Sequence, residues 1–564
     1  MKLKKEKLTK AFARGFCMLI FSLAMDSCVK PVDEQELSIY NPMTFSFYNG
    51  DISYYLPFTD PVAKEITART GITLEVVPSK FSTIQDVPMM IASGRYQDFI
   101  YAKSGISDLI EANALVALDD WVSPTGEHIN LIERYGQNFK ALYGDQLVKL
   151  RHSDGHIYTF GTYEIKQAIN ETTGIMQIQH AVLKELGYPR IRTLEDFSMA
   201  LRAYVKKHPT IYGKKTIGLS LLIKDWLWYV GLSNPGNYVI GYPDDGQWIV
   251  DRSTHEAQYK FLNPEMDQYY RWLNGLYNEG LLDPESFTQT EDMWKAKILS
   301  GSVLSISSPG WEFKDVCKDL VADGMPERTY AYLPIVADAD RYKDPSLTDY
   351  GYSGGWGISI SKSCKNVELA FKFIDWMCSE EAQILMNWGI EGVNYVVKDG
   401  RRQIPESEME NSSTDSEYSR KTGVGLWVYP FPECGSGATD KNGDWMTRDF
   451  RERVISTYLP VEKETLSEYG VQMWTELFPQ SDELYRPVHG QIWQYHLPKD
   501  VNDIVEAADD YVRNALVSCI INPPDEFDER WKAMVDELKK MGVEKAGKKL
   551  SEMIREKLDL WYGK

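Results

Sequence analysis

The spacing of apolar residues in the first part of the chain predicts strands that alternate with helices. Residues 44–48 carry Phe45 and Phe47 with the period of two that a half-buried strand requires. Asp60 followed by Pro61 is typical of a helix N-cap and first helical position, and Gly71 of a helix end. The same kinds of signal predict strands over 72–76 and 98–102 and helices over 84–92 and 106–111. This alternation indicates an α/β fold built on a mostly parallel, doubly wound sheet.

The pattern starts again near residue 156 and predicts further α/β structure. Leu194, Phe197, Leu201 and Val205 share one face of a predicted helix. Other predicted elements are a hairpin over 238–250 that turns at Asp245-Gly246, a helix over 269–280, a strand over 303–307 and a helix over 366–388 with a new N-terminus at Ser379. Residues 401–420 carry the weakest structural signal, and the C-terminal segment is predicted to be helical and charged.

The beginning of the chain has the parts of an export signal. Six basic residues precede an apolar stretch from Cys17 to Met25, which is about half the length that a membrane-spanning helix needs. Cys28 follows at the place of the acylated cysteine of a bacterial lipobox, although Met25 and Asp26 replace the usual small residues. We therefore expect a signal peptide over 1–27, lipidation at Cys28 and a linker over 28–43. Secretion without an anchor is the alternative.

Composition narrows the possible functions. The 564 residues include 82 Asp and Glu against 62 Lys and Arg, which gives a formal net charge of −20. This excess of acid argues against a nucleic-acid-binding protein, which needs a basic surface to contact phosphates. The chain also contains 16 Trp, 34 Tyr and 20 Phe. Such a high aromatic content is typical of a large core, and it also suits a protein that stacks rings on planar or sugar ligands.

Some segments match catalytic or metal-binding motifs, but the neighbouring residues do not predict the structure that those motifs require. Gly351–Gly355 matches G-x-S-x-G, but the following residues alternate like a strand, whereas a nucleophile elbow requires a helix. His152 and His156 are separated by Asp154-Gly155, which breaks the helix that a zinc-binding pair needs. The cysteine spacings support neither a dense disulfide framework nor a zinc site. A pair of glycosidase carboxylates is still possible, because such a pair is defined by its separation in space and not by sequence spacing.

Several Trp and Tyr residues stand beside Gly, Asn or Pro where elements are predicted to end. Tyr48, Trp311, Trp356 and Tyr395 are examples. At the carboxyl ends of strands in an open α/β sheet, side chains face the ligand crevice. A single aromatic residue is more often part of the core or a loop anchor. Their shared placement at turns favours a ligand-binding site.

Several segments, taken in order, resemble the bacterial extracellular solute-binding proteins of ABC importers, in the group that binds carbohydrates. They include KEITARTGITLEVV, IASGRYQDFI, YRWLNGLYNEGLLDPESF and AFKFIDWMCSEEAQILMNWGIEGVNYVV. The part from GVGLWVYP to EFDERWKAMVDELKKMG resembles the larger lipoprotein subgroup of this family. The resemblance covers nearly all of the chain after the export signal.

The resemblance implies a two-lobed fold of the periplasmic-binding-protein type, with solute held between the lobes. Each lobe would be a mainly parallel sheet flanked by helices, and the lobes would be joined by crossover hinge segments near residues 160–175, 335–352 and 393–400. The N-terminal lobe would comprise 44–160 and about 352–395. The C-terminal lobe would comprise about 161–340 and about 396–564.

The resemblance also implies which residues contact the solute. They are Asn49 and Asp51 after the first strand, Tyr101 and Lys103 in DFIYAKS, Glu164 at the first crossover, Trp226 after IGLSLL, Trp311 in SSPGW, and Trp356, Asn394 and Tyr395 near the later crossovers. Several relatives carry a calcium loop after the helix that contains Phe197. Here no carboxylate occurs from His208 to Gly218, so we expect no metal there. We also expect no cofactor.

We therefore expect a lipid-anchored receptor at the extracellular face of the membrane, not an enzyme. It would capture a carbohydrate, expected to be an oligosaccharide, and deliver it to the membrane subunits of an ABC permease. It would act as a monomer and bind no nucleic acid. Two alternatives remain: a secreted carbohydrate-active enzyme, and a ligand-sensing partner of a surface signalling system.

Overall fold

The structure is a computed structural model that describes residues 42–168, 175–495 and 497–563. The predicted signal peptide, Cys28 and nearly all of the predicted linker lie outside these residues. Within them, no helix is both long enough and apolar enough to span a bilayer.

The strands are short and spread along the chain. They are β1 Met43–Asn49, β2 Ile72–Pro78, β3 Phe99–Tyr101, β4 Trp121–Val122, β5 His128–Ile129, β6 Thr159–Gly161, β7 Gln177–Gln179, β8 Thr210–Ile211, β9 Lys214–Lys215, β10 Ile217–Ser220, β11 Trp248–Val250, β12 Ala257–Tyr259, β13 Val303–Ile306, β14 Tyr330–Tyr332, β15 Gly357–Ile360, β16 Val396–Lys398 and β17 Arg401–Gln403.

The α-helices surround these strands and make up most of the C-terminal part. They are α1 Pro61–Thr70, α2 Thr83–Ser93, α3 Ile106–Glu111, α4 Leu131–Tyr135, α5 Gln137–Tyr143, α6 His180–Glu185, α7 Leu194–Lys207, α8 Asn234–Val239, α9 Asp267–Asn278, α10 Glu291–Leu299, α11 Lys314–Ala322, α12 Val367–Met377, α13 Glu380–Trp388, α14 Glu406–Thr414, α15 Tyr418–Thr422, α16 Arg451–Thr457, α17 Pro460–Glu468, α18 Lys499–Ile521, α19 Phe527–Met541 and α20 Val543–Tyr562.

Local signals positioned several of these elements correctly. The Asp60 side chain accepts a hydrogen bond from the Ala63 amide at 2.9 Å, so α1 begins where the sequence predicts. The Ser379 hydroxyl accepts one from the Ala382 amide at 3.2 Å and separates α12 from α13. A helix cap depends on residues within one turn of each other, so the sequence alone can predict where these helices begin.

Two sheets organise the molecule. The first has the order β2-β1-β3-β15-β6, and the second has the order β10-β13-β7-β14. β1 pairs in parallel with β2 and β3, and β10 pairs in parallel with β13. The remaining pairs in both sheets are antiparallel. The sheets thus contain more antiparallel pairing than expected, because the strands next to the crossovers run back along their neighbours.

The chain crosses between the sheets at one row of strand ends in each sheet, which we call the crossover edge. In the first sheet, β6 ends at Gly161, which lies opposite Gly357 at the start of β15. The ends of β1 and β3 meet at this edge as well, since Asn49 lies opposite Tyr101. In the second sheet, Ile306 at the end of β13 lies opposite Gln177 at the start of β7. The loops after β1, β3, β10 and β13 therefore lie at the edges where the crossovers leave and enter.

Each sheet has its own hydrophobic core. Phe45, Phe99, Phe160 and Phe371 belong to the core of the first. The larger second core includes Ile178 and Leu219 of the sheet and Leu516 and Leu550 of the C-terminal helices. We call the residues that pack around the first core the first lobe, and those that pack around the second core the second lobe.

One part of the chain packs in a different lobe from the one expected. Tyr418, Val424, Trp427 and Phe431 belong to the first core, although the sequence predicted that residues from about 396 join the second lobe. The Trp427 indole N–H donates to Asp60 at the start of α1, at 2.8 Å, and so ties this segment to the first lobe. Leu466 belongs to the second core. The last crossing therefore lies well beyond the expected 393–400.

Two local predictions also differ from the structure. The predicted hairpin over 238–250 is absent, because the helix α8 runs to Val239 and β11 pairs with β12 instead. Pro235 favours the first turn of that helix. Residues 401–420 hold β17 and the helices α14 and α15 instead of irregular chain. α14 buries none of its residues, so no hydrophobic periodicity marks it.

Candidate functional site

The crossover edge of the first sheet carries a polar pair. Asn49 ends β1 and accepts a hydrogen bond from the Asp51 amide at 3.0 Å. The Asp51 carboxylate forms an ion pair with Lys103, which follows β3. Lys103 has a positive φ of 51°, a backbone conformation that few non-glycine residues adopt. Three of the predicted site residues therefore lie close together at one edge.

An aromatic cluster lies beside this pair and joins segments from distant parts of the chain. Tyr101 is fully buried, and its ring meets that of Tyr429 edge to face with centroids 5.6 Å apart. Tyr163 lies 6.0 Å from both Tyr429 and Trp493. Trp356 in turn lies 4.9 Å from Trp493. We call these five residues the tyrosine–tryptophan cluster.

The cluster connects directly to the polar pair and to the crossovers. The Lys103 ammonium lies 5.4 Å from the centre of the Trp356 ring. Gly355 has a φ of +68°, and a Cβ there would come within 2.5 Å of the Tyr163 ring, so this close approach requires glycine. Burial raises the pKa of the Tyr101 and Tyr163 hydroxyls, so both stay protonated hydrogen-bonding groups at neutral pH.

Two glutamates lie next to the cluster. Glu164 forms an isolated backbone bridge with Glu433, and its carboxylate accepts a hydrogen bond from the Ser436 hydroxyl at 2.7 Å. Burial raises the pKa of Glu164, and the Ser436 hydrogen bonds oppose this increase. Burial, with the nearby charges of Glu164 and Asp449, raises the pKa of Glu433 to about 8. At neutral pH Glu433 is therefore mostly an uncharged donor and acceptor.

The crossover edge of the second sheet carries an exposed tryptophan pair. Trp226 follows β10 and Trp311 follows β13, the neighbouring parallel strand. Their rings are nearly parallel, at 16°, with centroids 6.0 Å apart. Both are more than half exposed, at 56% and 55%. The sequence placed both residues in loops after strands, and the register of the sheet brings them together.

Asn394 and Tyr395 contact residues outside the tyrosine–tryptophan cluster and the tryptophan pair. The Asn394 amide accepts from the Ile390 amide at 3.0 Å and donates to Glu408 at 2.7 Å, so it braces the turn after α13. The Tyr395 ring packs 5.7 Å from Trp388. The structure thus gives these two residues contacts within their own lobe, whereas the other predicted residues lie at crossovers or strand ends.

The sequence did not single out Tyr163, Tyr429 or Trp493. Tyr163 directly precedes the predicted Glu164, and Tyr429 lies in WVYPFP, so a wider search for aromatic residues near crossovers would have included both. Trp493 comes from a segment 137 residues after Trp356 and carries no local signal. Among the described residues, no cluster of three or more His, Cys, Asp or Glu side chains is arranged to hold a metal ion.

Comparison with known proteins matches residues 49–384, more than half of the chain, to the family of bacterial extracellular solute-binding proteins. The chain is 26% identical over 363 residues to Lipoprotein LipO of Bacillus subtilis (strain 168), covering 60% of this chain and 65% of the relative. It is 23% identical over 362 residues to the fructooligosaccharide ABC transporter substrate-binding protein FusA of Streptococcus pneumoniae serotype 4, covering 59% of this chain and 61% of the relative. Both matches span less than two thirds of the relative's length.

The fold is similar to that of a solved structure of S. pneumoniae FusA in complex with kestose. The TM-score is 0.64 at 16% identity, and the match covers 91% of this chain and 99% of that chain. At this identity the similarity establishes the fold alone. It confirms the predicted two-lobed α/β architecture.

Proposed function

Since the chain belongs to the family of bacterial extracellular solute-binding proteins, we propose that it captures a carbohydrate between its two lobes for an ABC importer. In this proposal the solute is an oligosaccharide, and the partners are the membrane subunits of the permease. The protein works as a monomer and performs no chemistry on the solute.

The exposed Trp226–Trp311 pair is the observation that carries the proposal. Sugar rings present apolar C–H faces, which stack on indoles, while tryptophans normally bury most of their surface in a folded protein. Here two neighbouring indoles keep more than half of their surface exposed. They do so in loops that follow adjacent strands at the crossover edge, where ligands of open α/β sheets bind.

Polar groups at the opposite edge complement this stacking surface. Asn49, Asp51 and Lys103 offer an amide, a carboxylate and an ammonium group near the tyrosine–tryptophan cluster. Sugar hydroxyls both donate and accept hydrogen bonds, and charged partners make the stronger ones. An unmatched hydroxyl buried between the lobes would cost free energy, so such groups would select the solute. The kestose complex of FusA and the name of the sequence relative support the carbohydrate class.

A thermal-shift screen against neutral and acidic oligosaccharides tests the proposal. A solute that binds only the folded state stabilises it and so raises the melting temperature. At a solute concentration of one hundred times Kd, the stabilisation is about 2.7 kcal/mol. The Trp226→Ala/Trp311→Ala variant should lose this shift and keep its own melting temperature near that of the wild type. A panel that shifts neither protein, while amino acids or peptides shift the wild type, would exclude the carbohydrate class.

We also propose that Cys28 is acylated and holds the protein at the outer face of the cell membrane. The name of the relative LipO supports this proposal. Cys28→Ser should release the protein from the membrane fraction into the medium. A wild-type protein found only in the medium would contradict the anchor.

The alternative of a carbohydrate-active enzyme has a direct test. Glu433 has a raised pKa and lies near Glu164, which are features that a glycosidase acid also has. Each oligosaccharide that binds should nevertheless be recovered intact after long incubation with the protein. Cleavage that disappears in Glu433→Gln would establish an enzyme instead.

A further inference from the structure

A cavity of about 120 Å³ lies between the crossover segment around Ser353 and the last helix, α20. Its lining includes five basic side chains: Lys103, Lys149, Arg151, His152 and Lys557. No Asp or Glu is among the described residues that line it. A lining whose charged side chains are all basic is unexpected in a chain whose formal net charge is −20.

Three of these basic groups already have carboxylate partners outside the lining. The pairs are Lys103 with Asp51, Arg151 with Asp119 at 3.0 Å, and His152 with Asp154 at 3.8 Å. Lys149 and Lys557 differ, because neither forms an ion pair with a carboxylate of the described residues. These two lysines are therefore the basic groups of the lining that have no carboxylate ion pair among the described residues.

Lys149 and Lys557 are held on the same aromatic residue. Their ammonium groups lie 5.2 Å and 4.7 Å from the centre of the Trp561 ring. Lys557 also lies 4.0 Å from the Tyr495 ring, and Lys149 donates to the Tyr352 carbonyl at 2.5 Å. An aromatic face attracts a cation through the charge distribution of its ring and accepts no conventional hydrogen bond from it. The rings thus position the lysines and leave their remaining N–H donors available.

Holding these cations near one another costs free energy in the absence of an anion. Burial and the charge of Lys149 lower the pKa of Lys557 to about 7. Burial and the charge of Arg486 lower the pKa of Lys149, while Asp349 opposes this shift. A negative charge between the two lysines would remove their repulsion and satisfy their donors.

We propose that this cavity binds the acidic group of an anionic saccharide, a carboxylate or a sulfate or phosphate ester, through Lys149 and Lys557. This inference rests on the proposed carbohydrate-binding function and assigns an acidic class of solute to it. A cavity needs only about 10–15 Å³ to hold one water molecule, so 120 Å³ accommodates a single acidic group. Trp356 lines the cavity and also belongs to the tyrosine–tryptophan cluster, so the acidic group would lie beside the candidate site.

The lysines come from different lobes, which gives the acidic group a second effect. Lys149 precedes β6 of the first sheet, and Lys557 lies on α20, whose Leu550 and Ile554 pack in the second core. An anion bound to both would link the lobes beside the crossover. Solutes that carry the group would then be favoured over neutral ones of the same size.

Calorimetric titration at constant ionic strength tests this proposal with three kinds of probe. The first is an oligosaccharide series that contains uronic acids or sulfate esters. The second is the same series after reduction of the carboxylates to alcohols or removal of the sulfate. The third is inorganic sulfate and phosphate. The variant Lys149→Met/Lys557→Met keeps the aliphatic stems that pack against the rings and removes both charges.

Two control variants accompany the test variant. Lys499→Met/Lys545→Met removes two charges from exposed positions where both lysines have carboxylate partners, so it changes the net charge equally. Lys149→Arg/Lys557→Arg keeps both charges. The melting temperature of each variant shows whether it folds, and the two single Met variants replace the double variant if it does not.

The expected result is that wild type binds acid-bearing saccharides at least about tenfold more tightly than their neutral counterparts, since a hydrogen bond to a charged group contributes at least that factor. The double Met variant should lose this preference, and both control variants should keep it. Equal affinity of wild type for acidic and neutral saccharides, or an unchanged preference in the double Met variant, would overturn the proposal and leave the proposed function intact. If no saccharide binds at all, the proposed function itself fails.

Discussion

The tyrosine–tryptophan cluster and the Trp226–Trp311 pair are both aromatic and both lie at crossover edges, but they are built in opposite ways. In the cluster, Tyr101 is fully buried and the rings meet one another at angles from 48° to 86°. In the pair, two nearly parallel rings remain more than half exposed. Edge-to-face contacts use the ring surfaces for packing, whereas parallel exposed rings leave a face free.

This difference indicates that aromatic residues at a crossover edge can either pack distant segments together or leave a ring face exposed. The cluster joins segments as distant in sequence as Tyr101 and Trp493, so its contacts hold the crossovers in place. The pair joins two loops at the edge of one sheet, and in the proposed function its exposed faces contact the solute. We therefore expect mutations in the cluster to change mainly stability, and mutations in the pair to change mainly solute affinity.

The largest expected effect comes from the cluster. Tyr101→Ala removes a fully buried ring and should lower the free energy of unfolding by about 3–5 kcal/mol, as for other large-to-small core substitutions. Tyr101→Phe keeps the ring, loses only the hydroxyl contact with Tyr429 and should cost about 1 kcal/mol. Denaturant midpoints measure both. A stable Tyr101→Ala variant without solute binding would show that the cluster is a binding surface.

The next effect concerns the pH dependence of stability near the cluster. The pKa of Glu433 is about 8 in the folded protein, above its ordinary value of 4.5, because of burial and the charges of Glu164 and Asp449. Between pH 4.5 and 8 the folded state therefore binds more protons than the unfolded state, and this group lowers stability as pH rises. At about 1.4 kcal/mol per pH unit, the loss of stability across this window is at most about 5 kcal/mol.

Glu433→Gln should remove this loss. Its stability relative to wild type should increase steadily from pH 5 to pH 8 in thermal melts. Glu452→Gln, at an exposed position on α16, serves as the control and should follow wild type. Parallel pH profiles for wild type and Glu433→Gln would show that Glu433 is not held in its protonated form.

A smaller effect, on affinity alone, is expected at the tryptophan pair. Trp311→Ala removes stacking area and should weaken solute binding by about 1.5–3 kcal/mol, or tenfold and more. Its unfolding midpoint should stay close to that of wild type, because the ring is 55% exposed. Trp311→Phe should retain part of the affinity. A large loss of stability with unchanged affinity would make Trp311 a structural residue and remove the contrast with the cluster.

The smallest expected effect is the coupling within the pair. Trp226→Ala, Trp311→Ala and the double variant form a cycle whose interaction term in solute binding should be about 0.5–1.5 kcal/mol, because the rings stack on each other and share one surface. Additive effects would indicate two separate contacts with the solute.

Sequence alone determined those features that depend on neighbouring residues. The Asp60 and Ser379 caps, the alternating strands before Gly71 and after it, and the turn that carries Trp311 follow from local patterns, whereas Trp226 was identified through the family resemblance. The order of family-like segments also predicted the two-lobed fold, which the structural comparison confirms. Capping, periodicity and turn preference act within a few residues, so they leave a readable signal.

Only the tertiary structure decided which distant residues meet. Trp493 joins the cluster, Phe431 packs in the first core, and Lys149 and Lys557 share Trp561, although hundreds of residues separate some of these partners. The strand register, not the local sequence, places Trp226 beside Trp311. Such contacts form because the two lobes and the long C-terminal helices bury their surfaces together, and no pattern within one segment records the position of its partner.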